Sequence, residues 1–392
     1  MKTKMNLPTP SPDEQVRSNA LLQRIQNAIR QYGPMPFAEY MQRVLYTPNL
    51  GYYASGTPKL GAEGDFVTAP ELTPLFGQCI ARQIEQVLNS LNGGNILEFG
   101  AGSGKLTRDI LLALAEVDAL PERYQIMEVS AHLKLHQKTL LQQSLPSALF
   151  QRIEWLTHLP QPGWLGIVLA NEVLDAMPVE RLYLTPDAAW RMGVGLDEND
   201  QLIWAEMPVV DADLQHIIND LRKLIQPTSL GYKAEVNLNI HPWLNSISHF
   251  MARGVALLID YGFPRQELYQ QARLNGTLRC FYHHRVHDNP FIWPGLQDIT
   301  AHVDFTAVAE SGFQAGFKVS GFTTQAHFLM STGLLEALPA NLPITEQLKL
   351  SQQIKTLTLP EEMGEIFKVM ALSKTIDLPL MGFQLADLRH LL

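Results

Sequence analysis

Short β-rich runs recur at 96–99, 124–129, 153–156, 167–170 and 255–259, and helical or turn-rich spacers separate the first four. That alternation constrains the chain more than any other feature. Parallel neighbours cannot be joined by a tight hairpin and need a long crossover, which a helix supplies, so the pattern predicts a doubly wound, mostly parallel α/β sheet. FKVSGF at 317–322 and FKVMALS at 367–373 bring the predicted strands to seven.

Ahead of these runs, Val16, Leu21, Leu22, Ile25 and Ile29 fall at helical spacing across 13–31, which stops at Tyr32-Gly33-Pro34. A second helix runs from Phe37 to Leu45. Residues 49–74 then carry repeated turn signals (NLGYY, SGTPKLGAEGDF, TAPELTP), and a loop of that length in a compact chain is a functional candidate. A helix over 75–90 follows it. Between the fourth and fifth runs, WRMGVGL and QLIWAEM flank DEND as a hairpin, and helical patterns follow at 211–225 and 243–252. The expected organisation is an N-terminal helical segment with a covering loop (1–74), a core in two parts (75–177 and 254–392), and an inserted α+β substrate-facing subdomain (178–253). A chain of 392 residues is too long for one small core.

The net charge of −9 gives no electrostatic footprint for nucleic acid, whose affinity rests on neutralising phosphates with Lys and Arg. A basic or peptide-like partner fits better. Cys79 and Cys280 are the only cysteines and make no disulfide framework, so a reducing, cytoplasmic setting is expected. The N-terminus has no apolar signal region, and no run approaches the roughly 20 apolar residues of a membrane helix. Oligomeric state is not readable from these features.

The stretch GAGSGK at 100–105 opens a helix directly after ILEF. A triphosphate loop, G-x-x-x-x-G-K-[ST], would need glycine where Phe99 stands and a hydroxyl where Leu106 stands. A dinucleotide turn would need its third glycine at Lys105. What remains is G-x-G-x-G, with Gly100, Gly102 and Gly104 free to take positive φ and to let a ligand approach the backbone. This suits S-adenosylmethionine (SAM), which has no pyrophosphate to accommodate; a plain strand-to-helix turn is the alternative. Glu98, just before the turn, is a further cofactor-binding candidate. Glu128 ends the apolar run of YQIMEVS, where a carboxylate can accept hydrogen bonds from both ribose hydroxyls. Alternatively, it serves the dipole of the helix predicted over 131–144.

Six segments carry a resemblance: GDFVTAPELTPLFG at 64–77, ILEFGAGSGKL at 96–106, ANEVLDAMPVERL at 170–182, LLIDYG at 257–262, GTLRCFYHHRVHDNPF at 276–291 and PGLQDITAHVDFTAVAESG at 294–312. Together they resemble the bacterial relatives of the mitochondrial arginine methyltransferase that assists assembly of respiratory complex I. The resemblance implies a class I SAM-dependent methyltransferase fold, Rossmann-like, and a protein acceptor whose arginine receives the methyl group.

Methyl transfer from a sulfonium needs alignment and the exclusion of water, and no metal. A guanidinium acceptor, with a pKa above ~12, needs carboxylates to orient it. Asn171, Glu172 and Asp175 follow the fourth run, where the crevice of such a sheet lies. Asn171 is a cofactor-binding candidate, Asp175 a catalytic one, and Glu172 both. Glu172 and Asp175 would share a face if the segment were helical; otherwise Glu172 contacts only cofactor or caps a turn, and Asp175 is an N-cap or lies on the surface. Thr68, Pro70 and Glu71 could close over the cofactor's amino acid end, with Thr68 the cofactor-binding candidate. Cys280, His283, His284 and His287 cluster in sequence but lack the second ligand pair of a structural zinc site. His302 and Asp304 could reach the acceptor, although Asp304 also reads as the N-cap of the next helix. A small-molecule methyltransferase and a noncatalytic SAM-binding assembly factor are the competing functions.

Overall fold

The computed structural model describes residues 7–55, 68–228, 230–338 and 342–392. They form two units, the first drawn from Met1–Phe66, Asp175–Asn239 and Arg265–His302 and the second from Val67–Leu174, Ile240–Pro264 and Val303–Leu392.

The second unit is built on one sheet, with strands β1 (Asn95–Phe99), β2 (Tyr124–Met127), β3 (Ile153–Leu156), β4 (Trp164–Asn171), β5 (Met251–Phe263), β6 (Val303–Asp304), β7 (Lys318–Thr324) and β8 (Phe367–Lys374). Their order across the sheet is β7-β8-β5-β4-β1-β2-β3, with β6 paired to the end of β5. From β5 to β3 all neighbours are parallel, and β8 runs antiparallel to both β5 and β7. The sheet is therefore mixed, and it has eight strands where seven were expected; the extra one is only two residues long and gives no sequence signal.

Ile167, Val168, Leu169 and Ala170 are all buried, which explains why β4 reads as a continuous apolar run: both faces of a central parallel strand are covered. One cover is the helix Pro74–Leu91, started by Pro74 at its first position behind Thr73, whose hydroxyl accepts the Leu75 N–H, and ended by Asn92 in the left-handed region. Its Ile80, Ile84 and Val87 join Ile110 and Leu114 of the helix Lys105–Glu116, and Ile96, Ile167 and Leu169 of the sheet, in one apolar cluster.

The first unit has a sheet ordered Met35–Pro36, Ala189–Leu196, Glu180–Leu184, Tyr232–Val236, with Leu202–Met207 closing the expected hairpin on Ala189–Leu196. A second sheet joins Arg285–His287, Arg279–Tyr282 and Asp298–Thr300. The helices Pro12–Tyr32 and Phe37–Tyr46 bury Leu21, Ile25, Phe37, Tyr40 and Val44 in a core shared with Val179, Val194, Cys280 and Ile299. This division differs from the expected one. Residues 175–239 share a unit with the N-terminal helices and with 265–302, because Met35 pairs with Val194 and the Lys233 N–H donates to the Leu274 carbonyl. Residues 240–253 belong to the other unit, where the helix Ile240–Phe250 feeds directly into β5. Among the described residues no helix is long and apolar enough to cross a membrane.

Candidate active site

Strand order reverses between β1 and β4, so the crevice at their carboxyl ends is the place where an open α/β sheet takes a ligand. Register aligns these ends, with Phe99 beside Ala170 and Met127, and Asn171 beside Ile259. Beyond Phe99 the chain turns through Gly100 at φ 65°, Gly102 at φ 53° and Gly104 at φ 92°. An L-residue in this region costs about 1–2 kcal/mol, which is the physical need for three glycines. The Gly100 N–H donates to the Met127 carbonyl at 3.0 Å, and a Cβ at Gly100 would stand 3.2 Å from the Val173 side chain.

Glu71 reaches this turn from the preceding loop. Its carboxylate accepts the Ser103 hydroxyl and, at 2.6 Å, the Lys105 ammonium, and the Glu71 side chain is only 6% exposed. Thr68 is buried and starts the short helix Ala69–Leu72, its carbonyl accepting the Glu71 N–H at 2.9 Å. Pro70 lies in that helix's first turn. The loop residues 56–67, including Gly64 to Val67 of the GDFVTAPE segment, lie outside the described residues.

Glu98 is fully buried beneath the turn. One of its oxygens accepts Thr107 Oγ1 at 2.6 Å and the Tyr124 hydroxyl at 2.7 Å, tying β1 to a helix and to β2. Burial pushes its carboxyl up to about 7 against the pull of those two donors. Glu128 follows β2 and accepts the Ser130 N–H at 2.8 Å on one oxygen and Gln137 Nε2 at 3.0 Å on the other. Burial raises its carboxyl too, although these hydrogen bonds oppose the shift. The N-cap of the helix Ala131–Ser144 is Ser130, not Glu128. Val129, beside Glu128, is an exposed apolar side chain.

Asn171 ends β4. Its Nδ2 donates to Glu172 Oε1 at 3.0 Å, while its Oδ1 is buried without a hydrogen-bond partner. Glu172 itself stands at φ 54°, a left-handed conformation for a residue with a Cβ, and its N–H donates to the Ile259 carbonyl at 2.9 Å. The segment after it is turn and bend rather than helix, so the helical face expected for Glu172 and Asp175 does not form. Glu172, in the left-handed region, breaks a helical path at its first residue, and Pro178 disfavours helical backbone just before it, while Asp260, buried in β5, braces the turn with one oxygen that accepts the N–H groups of Val173 and Leu174 at 3.1 and 2.9 Å. Sequence reasoning passed over Asp260, whose signal is a lone carboxylate inside the apolar run LLIDYG. Asp175 falls in the other unit. It is neither an N-cap nor a surface residue: it is buried, its carbonyl accepts the Ala301 N–H at 3.1 Å, and its charge and that of Asp298 help burial to raise the Tyr53 phenol.

Asp304 is the N-cap of the helix Phe305–Gln314, its Oδ1 accepting the Ala307 N–H at 3.0 Å. The His302 N–H donates to Thr277 Oγ1. His283 and His284, both at positive φ, form the two-residue turn of a hairpin, and burial raises the Cys280 thiol. Among the described residues no group of three His, Cys, Asp or Glu side chains could hold a metal ion.

The family model of S-adenosyl-L-methionine-dependent methyltransferases matches residues 79–323. A protein from Burkholderia thailandensis, solved bound to S-adenosyl-homocysteine, is 39% identical, covers 99% of this chain and 100% of its own, and superposes with a TM-score of 0.93. A second Burkholderia thailandensis structure, solved as the native protein, gives 38% identity over the same shares and a TM-score of 0.89. The mitochondrial protein arginine methyltransferase NDUFAF7 homolog of Drosophila melanogaster is 28% identical over 94% of this chain and 89% of its own length. Its Mus musculus relative, protein arginine methyltransferase NDUFAF7, is 28% identical over 92% and 86%. The chain belongs to the family of SAM-dependent methyltransferases.

Its cofactor is SAM, and the residues of the crevice fit it. Three left-handed glycines open the backbone to a ligand, Glu128 offers a carboxylate beyond β2, and the buried Asn171 Oδ1 is an acceptor that no protein donor fills.

Proposed function

We propose that this methyltransferase modifies an arginine of a protein or peptide, and that Glu172 is the carboxylate that receives the guanidinium. The observation that carries this reading is the backbone of Glu172: a carboxylate held at φ 54° at the end of β4, one strand from the glycine turn, is strain retained at the place where a reaction partner of the cofactor has to sit. The names of the mitochondrial relatives support an arginine acceptor.

SAM supplies an electrophilic methyl carbon on a sulfonium. The chain's part is to bring a nitrogen lone pair into line with it and to exclude water. A guanidinium delocalises its lone pairs, and an anchored carboxylate would fix the planar fork; as the nitrogen–methyl bond formed and the sulfonium–methyl bond broke, S-adenosyl-homocysteine would leave and the nitrogen's proton would pass to that carboxylate. Asn171 steadies Glu172 from one side, and Asp260 fixes the turn that follows. Gly100, Gly102, Gly104, Glu128 and Thr68 are assigned to the cofactor.

Glu172→Gln tests the assignment. It keeps the size and the carbonyl that accepts from Asn171 but removes the charge, and a buried cation left unpaired costs about 3–5 kcal/mol. The rate of methyl transfer should fall a hundredfold or more while the SAM dissociation constant changes by no more than about twofold. A fully active Glu172→Gln enzyme sinks the assignment.

A further inference from the structure

The helix Ala131–Ser144 buries only two side chains, Leu141 and Gln137. Leu141 needs no explanation beyond the apolar core. Gln137 is fully buried, and an amide taken out of water is costly unless its donors and acceptors are met. Its Nε2 donates at 3.0 Å both to the Gly102 carbonyl, in the middle of the glycine turn, and to Glu128 Oε2. Its Oε1 accepts Trp155 Nε1 at 3.0 Å, from β3. The orientation of the amide follows from chemistry: a carbonyl and a carboxylate can only accept, and an indole N–H can only donate. Since Ser130 holds the other oxygen of Glu128, the carboxylate is fixed at both ends.

We propose that Gln137 is a positioning residue for the cofactor, a buried amide that sets the distance between the glycine turn and Glu128 and so tunes affinity for the adenosine half of the ligand. The proposal rests on Glu128 being the ribose carboxylate. A structural glutamine could have met its needs with any two acceptors; this one joins the carbonyl of a left-handed glycine to a carboxylate, and both border the same crevice.

The experiment is calorimetric titration of the full chain with S-adenosyl-homocysteine. Gln137→Met keeps the volume and removes both donors, and it should raise the dissociation constant about tenfold or more, the loss expected for a hydrogen bond to a charged acceptor. Trp155→Phe keeps an aromatic ring and removes the N–H that anchors the amide, and it should raise the constant about threefold. In a Glu128→Gln background, Gln137→Met should cost distinctly less than it does in the wild type, because two residues acting through one contact are not additive.

If Glu128→Ala binds like wild type, the ribose assignment fails and this proposal falls with it. If Glu128→Ala is weakened while both Gln137→Met and Trp155→Phe bind normally, the proposal alone is overturned. Equal fold-losses in the two backgrounds would make Gln137 a packing residue and overturn it as well. Should Gln137→Met not fold, Trp155→Phe decides: normal affinity there counts against positioning.

Discussion

Gly102 stands at φ 53° between two other left-handed glycines, and its carbonyl accepts the Gln137 amide. A valine there would pay the left-handed penalty of about 1–2 kcal/mol and more for its β-branch, so the turn would relax to another shape. Gly102→Val is expected to raise the SAM dissociation constant at least about a hundredfold with a modest loss of thermal stability, as read by calorimetry and thermal unfolding. Unchanged affinity would make the turn merely structural. The shape of this turn was legible because its constraint is local: glycine spacing after an apolar run states the backbone geometry outright. The placement of Asn171, Glu172 and Glu128 at or just past the carboxyl ends of strands was legible too, from where the apolar runs stop. Asp260 and Gln137 were not. Both act on partners in other elements, the turn at 172–174 and the pair Gly102 and Glu128; Gln137 looks like any helix residue, and the lone carboxylate of LLIDYG does not say what it binds.

At the scale of elements, the strands of the main sheet were readable from apolar runs and several helices from their period, and the hairpin flanking DEND was readable from its turn residues. The segment after Glu172 was not: its three-residue spacing suits a helix, but Glu172 takes a left-handed backbone that a helix cannot run through. Glu98 gives the element scale its sharpest test. Its folded pKa of about 7 exceeds the ordinary value of about 4.3 that it has in the unfolded chain. Between these values the folded chain binds a proton that the unfolded chain does not, so this group's contribution is complete below about pH 4 and is lost as pH rises through 7. The whole span is worth roughly 3–4 kcal/mol. Glu98→Gln keeps an acceptor for Thr107 and Tyr124 and never ionises. Relative to wild type, the variant should therefore gain stability between about pH 5 and about pH 8, measured by denaturant unfolding. Equal pH dependence in the two proteins would mean that Glu98 is not the buried, proton-holding group described here.

For the whole molecule, the sheet and its switch point followed from the alternation of elements, but the division into units did not. Met35 pairing with Val194, and Lys233 with Leu274, are contacts across the sequence that no local pattern announces. They draw the N-terminal helices, residues 175–239 and residues 265–302 into one unit with its own core, whereas the expected subdomain was a single stretch. The other unit carries the glycine turn and the strained Glu172, to which methyl transfer to an arginine is assigned. The most direct measurement incubates the purified protein with methyl-labelled SAM and a lysate from cells that lack it, then locates the label by mass spectrometry. The expected result is a labelled protein with the methyl group on an arginine side chain, and labelling at least about a hundredfold slower with Glu172→Gln. Label on a small metabolite, or no transfer to anything in the lysate, would contradict it.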